Sequence, residues 1–152
     1  MYEELLKEGE KNGIEIIEIP LKGNLKGLYG DNIIAINSKM TTNNEKTCIL
    51  AEELGHHYKN YGNILDQTDI NNRKQEMLAR RWAYEKLVSL NRLIDGYKYG
   101  CQNRYELAEY LNVTERFIEE VIKYYKSKYG LYCQVDNYII YFEPLGIMEV
   151  WE

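Results

Sequence analysis

Glu52, Glu53 and His56 lie in Leu50-Ala51-Glu52-Glu53-Leu54-Gly55-His56-His57, one residue away from the His-Glu-x-x-His pattern of zinc hydrolases. In the intact pattern two histidines four apart share a helix face and grip one Zn²⁺. The Glu between them is the general base toward metal-bound water. Here Glu52 holds the place of the first histidine. At about 100° per residue, with Glu52 as origin, His56 falls at about 40° and Glu53 at about 100°, so two carboxylates and an imidazole share one stripe. Glu52 and His56 are therefore candidate metal ligands and Glu53 the candidate base. His57, at about 140°, sits beside Glu53. A shifted set of Glu53 with His57 is sterically open but turns toward the packed side and leaves no base. Leu50, Ala51, Leu54, Tyr58 and Tyr61 fall at about 160° to 260°, so the helix packs with one side and offers chemistry on the other. A plain solvated face competes with this, because Glu four before His is a common stabilising pair.

Glu76 is the candidate third ligand. Counted from it, Ala79, Ala83, Leu87, Leu90 and Ile94 lie within about 60°, which puts a carboxylate at the head of an apolar seam. A buried carboxylate needs a cation or a proton. A metal shared with His56 would serve, and so would an i,i+4 ion pair with Arg80. With His56 and His57 the only histidines, the site is poor in nitrogen. Its hard oxygens suit Mn²⁺ or Fe²⁺ as well as Zn²⁺. Cys48, one turn before Glu52, is either a fourth donor or a small buried apolar group.

The elements that would carry these residues follow from periodicity and punctuation. Residues 2–11 form a short helix stopped by Asn12-Gly13. Residues 14–19 and 25–36 are strand-like, with a turn at Tyr29-Gly30-Asp31-Asn32, and give a small antiparallel sheet. Thr41-Thr42-Asn43-Asn44 supplies caps for a motif helix over 47–61, closed by Gly62. A second long helix covers 71–93, ending near Asp95-Gly96. A third starts near Arg104, breaks at Leu111-Asn112-Val113-Thr114, and is followed by a fourth over 115–128, finished by Tyr129-Gly130. Residues 131–135 and 138–142, joined by Asp136-Asn137, make a terminal hairpin. The expected class is α+β and mainly helical. The expected organisation is one domain over 1–152: sheet and motif helices in 1–97, a helix-turn-helix-like pair in 98–130, and the hairpin in 131–152.

Composition excludes some classes of function. A chain of 152 residues, 45% hydrophobic and 28% charged, reads as one globular unit. No run approaches the roughly 18 apolar residues of a membrane span. The start, Met1-Tyr2-Glu3-Glu4, lacks the layout of a signal peptide, so a cytoplasmic location is expected. Cys48, Cys101 and Cys133 are odd in number and widely spaced, which argues for reduced thiols. A formal charge of −5 disfavours nonspecific nucleic-acid binding and leaves protein partners as the expectation.

The order of these pieces resembles the ImmA/IrrE family of metallo-endopeptidases, found in mobile elements, phages and stress-response regulators. The resemblance rests on Gly27-Leu28-Tyr29, on Cys48-Ile49-Leu50-Ala51-Glu52-Glu53-Leu54-Gly55-His56-His57, and on Glu76 through Ala79-Arg80-Arg81-Trp82-Ala83. It implies a zincin-like domain in which His56 is a retained ligand, Glu53 the base, Glu76 the third ligand, and Glu52 stands for a histidine ligand. It further implies one divalent ion, Zn or else Mn or Fe, and metal-dependent cleavage of a helix-turn-helix repressor of a phage or mobile element. A Tyr hydroxyl from Tyr29, Tyr58 or Tyr61 would steady the oxyanion. With Glu52 in place, the alternative is an antirepressor that binds without cutting. Residues 105–114 followed by Phe117, Ile118, Val121 and Ile122 also have a helix-turn-helix layout, so a DNA-binding regulator is a rival. Glu115, Glu119 and Glu120 would give its recognition helix the wrong sign for phosphates, which leaves a protein-contacting or structural pair as the preferred reading.

Overall fold

Local signals in the first half translate directly into structure. A computed structural model of the chain describes residues 1–59 and 69–151. Helix α1, Tyr2–Lys11, ends at Asn12, and Gly13 follows with a φ of 79° that only glycine adopts at little cost. Strands β1 (Glu15–Ile19), β2 (Gly27–Gly30) and β3 (Ile33–Asn37) come next. Asp31 and Asn32, both at positive φ, close a two-residue turn between β2 and β3, which pair antiparallel with Gly30 opposite Ile33. The antiparallel expectation holds for that hairpin and needs correcting for β1, which lies parallel to β3 with Ile17 opposite Ala35. The sheet order is β1-β3-β2, so β3 is central and β2 an outer strand. The central strand carries Ile34 and Ile36, both fully buried. A parallel neighbour is set by tertiary packing, which no turn signal announces.

Helix α2, Asn43–Lys59, carries the motif; the Thr42 hydroxyl accepts from the Glu45 N–H at its start. The expected closure at Gly62, and Tyr61, lie outside the described residues. Leu50, Ala51 and Leu54 are buried on its apolar side as the periodicity requires. Helix α3, Asp69–Leu87, stops earlier than the expected 93. Ser89 breaks it by accepting the Arg92 N–H and so capping α4, Leu90–Tyr99, which ends at Gly100 in the left-handed region. In the sequence the apolar spacing continues through Leu87, Leu90 and Ile94, which is why periodicity alone reads one helix.

The chain forms two compact units, Met1–Lys86 and Leu87–Glu152. In the second, α5 (Arg104–Leu111) and α6 (Glu115–Tyr129) form the expected helix pair. Asn103 and Thr114 cap their starts, and Asn112 turns left-handed between them. Leu107, Leu111, Ile118, Val121 and Tyr125 are buried, and the Tyr125 hydroxyl donates to the Val88 carbonyl at 2.8 Å. The terminal hairpin, β4 (Tyr132–Val135) and β5 (Tyr138–Phe142), gains a third antiparallel strand, β6 (Leu145–Glu149). Sequence reasoning missed β6 because it is short, holds Gly146 and directly follows Pro144. The α+β, mainly helical class is as expected, and no helix among the described residues is long and apolar enough to cross a membrane.

Candidate active site

Two glycines bring the site together. A Cβ on Gly55 would overlap the Ala79 carbonyl oxygen and stand 3.0 Å from the Ala79 Cα. Glycine there lets α2 and α3 approach backbone to backbone, with Ala51, Ala79 and Ala83 fully buried. A Cβ on Gly27 would lie 2.7 Å from the Ile49 Cγ2 and 3.1 Å from the Glu53 Oε1. The outer strand β2 is therefore laid directly against the motif helix at Glu53.

Across the α2–α3 seam two pairs form, each linking residues four apart on their own helix. The His56 Nε2 lies 3.2 Å from the Glu76 Oε1, and the Arg80 Nε donates to the Glu52 Oε1 at 2.9 Å. The helices thus run in opposite directions past one another. Arg80 does not make the i,i+4 pair with Glu76 that local spacing allows; it reaches Glu52 instead. That bond and the charges of Glu52 and Glu76 hold the Arg80 guanidinium more firmly in its charged form.

Glu53 is set apart from its neighbours. Burial, and then the nearby Glu52 and Glu76 carboxylates, push its carboxyl up from 4.5 to about 7. A group titrating there can take or give a proton near neutrality, which is what a general acid or base requires. Of the tyrosines expected near the reaction, Tyr29 and Tyr58 have other partners. The Tyr29 hydroxyl bonds the His57 Nδ1 at 2.8 Å, and the Tyr58 hydroxyl accepts from the Asn12 Nδ2 at 3.0 Å. Burial raises both phenols above their ordinary value. His57 thereby ties β2 to α2, a role its spacing alone did not reveal. Cys48 is buried, and Cys48, Cys101 and Cys133 form no disulfide among the described residues.

The chain matches the model of the IrrE N-terminal-like domain, Peptidase_M78, over residues 10–123. It belongs to that metallopeptidase family. The match spans the first sheet, the motif helix, Glu76, α5 and the first part of α6, while β4, β5 and β6 lie beyond it. No curated protein and no solved structure matches the chain.

Peptidases of this family depend on a metal, so the donor set of this member has to be weighed against one. A catalytic zinc centre takes three protein donors, at least one of them commonly an imidazole or thiolate. This chain offers the His56 imidazole and the Glu76 carboxylate side by side and turns Glu52 onto a guanidinium. Among the described residues no three His, Cys, Asp or Glu side chains converge closely enough to hold a metal ion. As arranged, the donors do not fit a zinc centre.

Proposed function

We propose that the chain engages a helix-turn-helix repressor of a phage or mobile element. It takes an extended segment along β2 beside Glu53 and holds it without metal-dependent cleavage. The observation that carries this reading is the bond between the Arg80 guanidinium and the Glu52 carboxylate, at the position where the pattern the motif resembles has a histidine. The outer position of β2 supports it further. An outer strand offers backbone groups to an added strand, and the partly exposed Leu28 beside them gives apolar contact. Glu53, neighbouring Gly27 on that strand, would face the peptide backbone with a carboxyl able to donate or accept. The choice of a repressor follows the family resemblance.

A second reading, metal-dependent endopeptidase, is favoured by the 3.2 Å approach of His56 to Glu76. DNA binding by α5 and α6 is disfavoured. In the first turns of α6, the part a recognition helix would present, Glu115 and Glu119 are exposed, and the nearby Arg104 and Arg116 pair with Glu119 and Glu120.

Titrating the purified chain into its cognate repressor, with mass spectrometry of both partners, tests the proposal. The expected result is a complex with the repressor intact that weakens on Leu28→Asp. Time-dependent repressor fragments suppressed by a chelator would establish the second reading instead.

A further inference from the structure

Glu52, Glu53 and Glu76 place three carboxylates within electrostatic reach of one another at the seam between α2 and α3, with Glu52 and Glu53 partly shielded from water and Glu76 half exposed, and such a cluster favours a neighbouring cation. Where a histidine-ligated centre would put a divalent ion, this site puts a side chain. Arg80 extends from α3, one turn beyond Glu76, and its Nε lies 2.9 Å from the Glu52 Oε1. The Glu76 charge acts on the same guanidinium. Arginine suits this position because its planar, permanently charged head binds carboxylates directionally and cannot be lost by titration. The pairing is also self-consistent: a Glu at 52 is a poorer zinc donor than a histidine, and it is a well-matched arginine acceptor. Glu52 and Arg80 meet across the α2–α3 seam, four residues from His56 and from Glu76 respectively.

We propose that the Arg80 guanidinium is the resident cation of this site, replacing the divalent ion and excluding it by occupying Glu52. The inference rests on the absence of metal-dependent cleavage in the reading above but not on the identity of the partner.

Its test is metal uptake by the full, tag-free chain, measured as Zn²⁺ or Mn²⁺ retained per chain after gel filtration and as the shift in melting temperature on adding each ion. The wild type should retain none and show no shift. Arg80→Met frees Glu52 to join His56 and Glu76 and should bind Zn²⁺ at least tenfold more tightly; His56→Ala added to it should abolish the gain. Arg80→Lys, which keeps the charge, should stay metal-free. Without metal, Arg80→Met should melt lower than wild type, and Glu52→Gln added to it should restore much of the loss by removing the uncompensated charge. If Arg80→Met is too unstable to titrate, the Glu52→Gln/Arg80→Met double variant decides. Melting at or above the single variant upholds the compensation, and melting below it overturns the proposal. Stoichiometric Zn²⁺ in the wild type, or no gain in Arg80→Met, also overturns it. Repressor cleavage is read separately, so failure of one idea is distinguishable from failure of the other.

Discussion

Replacing Glu53 by Gln removes an ionisable group while keeping its shape, and the effect on stability should depend on pH in a defined direction. The Glu53 carboxyl titrates at about 7 in the folded protein against an ordinary 4.5. The folded state therefore binds this proton more tightly than the unfolded chain. The stabilisation is complete below pH 4.5 and is lost as pH rises to 7. The gap between 4.5 and about 7, at about 1.4 kcal/mol per pH unit, gives an upper value of about 3.5 kcal/mol. Urea unfolding of wild type and Glu53→Gln across roughly pH 5 to 8 would measure it. A Trp151→Phe background leaves Trp82, which packs on Tyr58 with ring centroids 5.0 Å apart, as the reporter for the first unit. Wild type should lose on the order of 2–3 kcal/mol relative to the variant over that range, whereas the variant's own change with pH should be smaller. Because the comparison is of slopes, any constant gain or loss from the Gln amide cancels. Parallel curves, within about 0.5 kcal/mol at every pH, would refute both the burial of Glu53 and the carboxylate crowding around it.

Other substitutions probe the framework. Gly55→Ala should cost about 1–3 kcal/mol in thermal or urea unfolding, because its Cβ meets the Ala79 backbone rather than a movable side chain. Tyr29→Phe should cost about 1 kcal/mol and speed hydrogen exchange in β2, since it cuts the bond to His57. In the second unit, Tyr125→Phe should cost about 1 kcal/mol by leaving the Val88 carbonyl without its donor. A gel shift at near-physiological salt should show no specific retention of duplex DNA, given Glu115, Glu119 and Glu120 in the first turns of α6; sequence-specific retention would restore the helix-turn-helix regulator as a contender.

What the sequence revealed was governed by local physics. The face shared by Glu52 and His56, the cap at Thr42, the turn at Asp31-Asn32 and the break at Asn112 each follow from a few adjacent residues, and each was legible. Partners chosen across space were not. Arg80 stands four residues from Glu76, and local spacing pairs them, yet the close seam made by Gly55 and Ala79 brings Glu52 within reach of Arg80 and His56 within reach of Glu76. The parallel placement of β1 against β3 is equally a product of tertiary packing. The break between α3 and α4 did have a local sign, Ser89 as an N-cap, overridden in the reading by the continuous apolar seam. Glycines 27 and 55 were the other available sign. A glycine inside a helix or beside a motif marks close backbone approach, and here both mark the site.

The most direct measurement is a crystal structure of the wild-type chain grown with excess Zn²⁺ and examined at the zinc absorption edge. The account predicts Arg80 still on Glu52 and no anomalous peak between His56 and Glu76. An anomalous peak ligated by Glu52, His56 and Glu76, with Arg80 swung away, would contradict it.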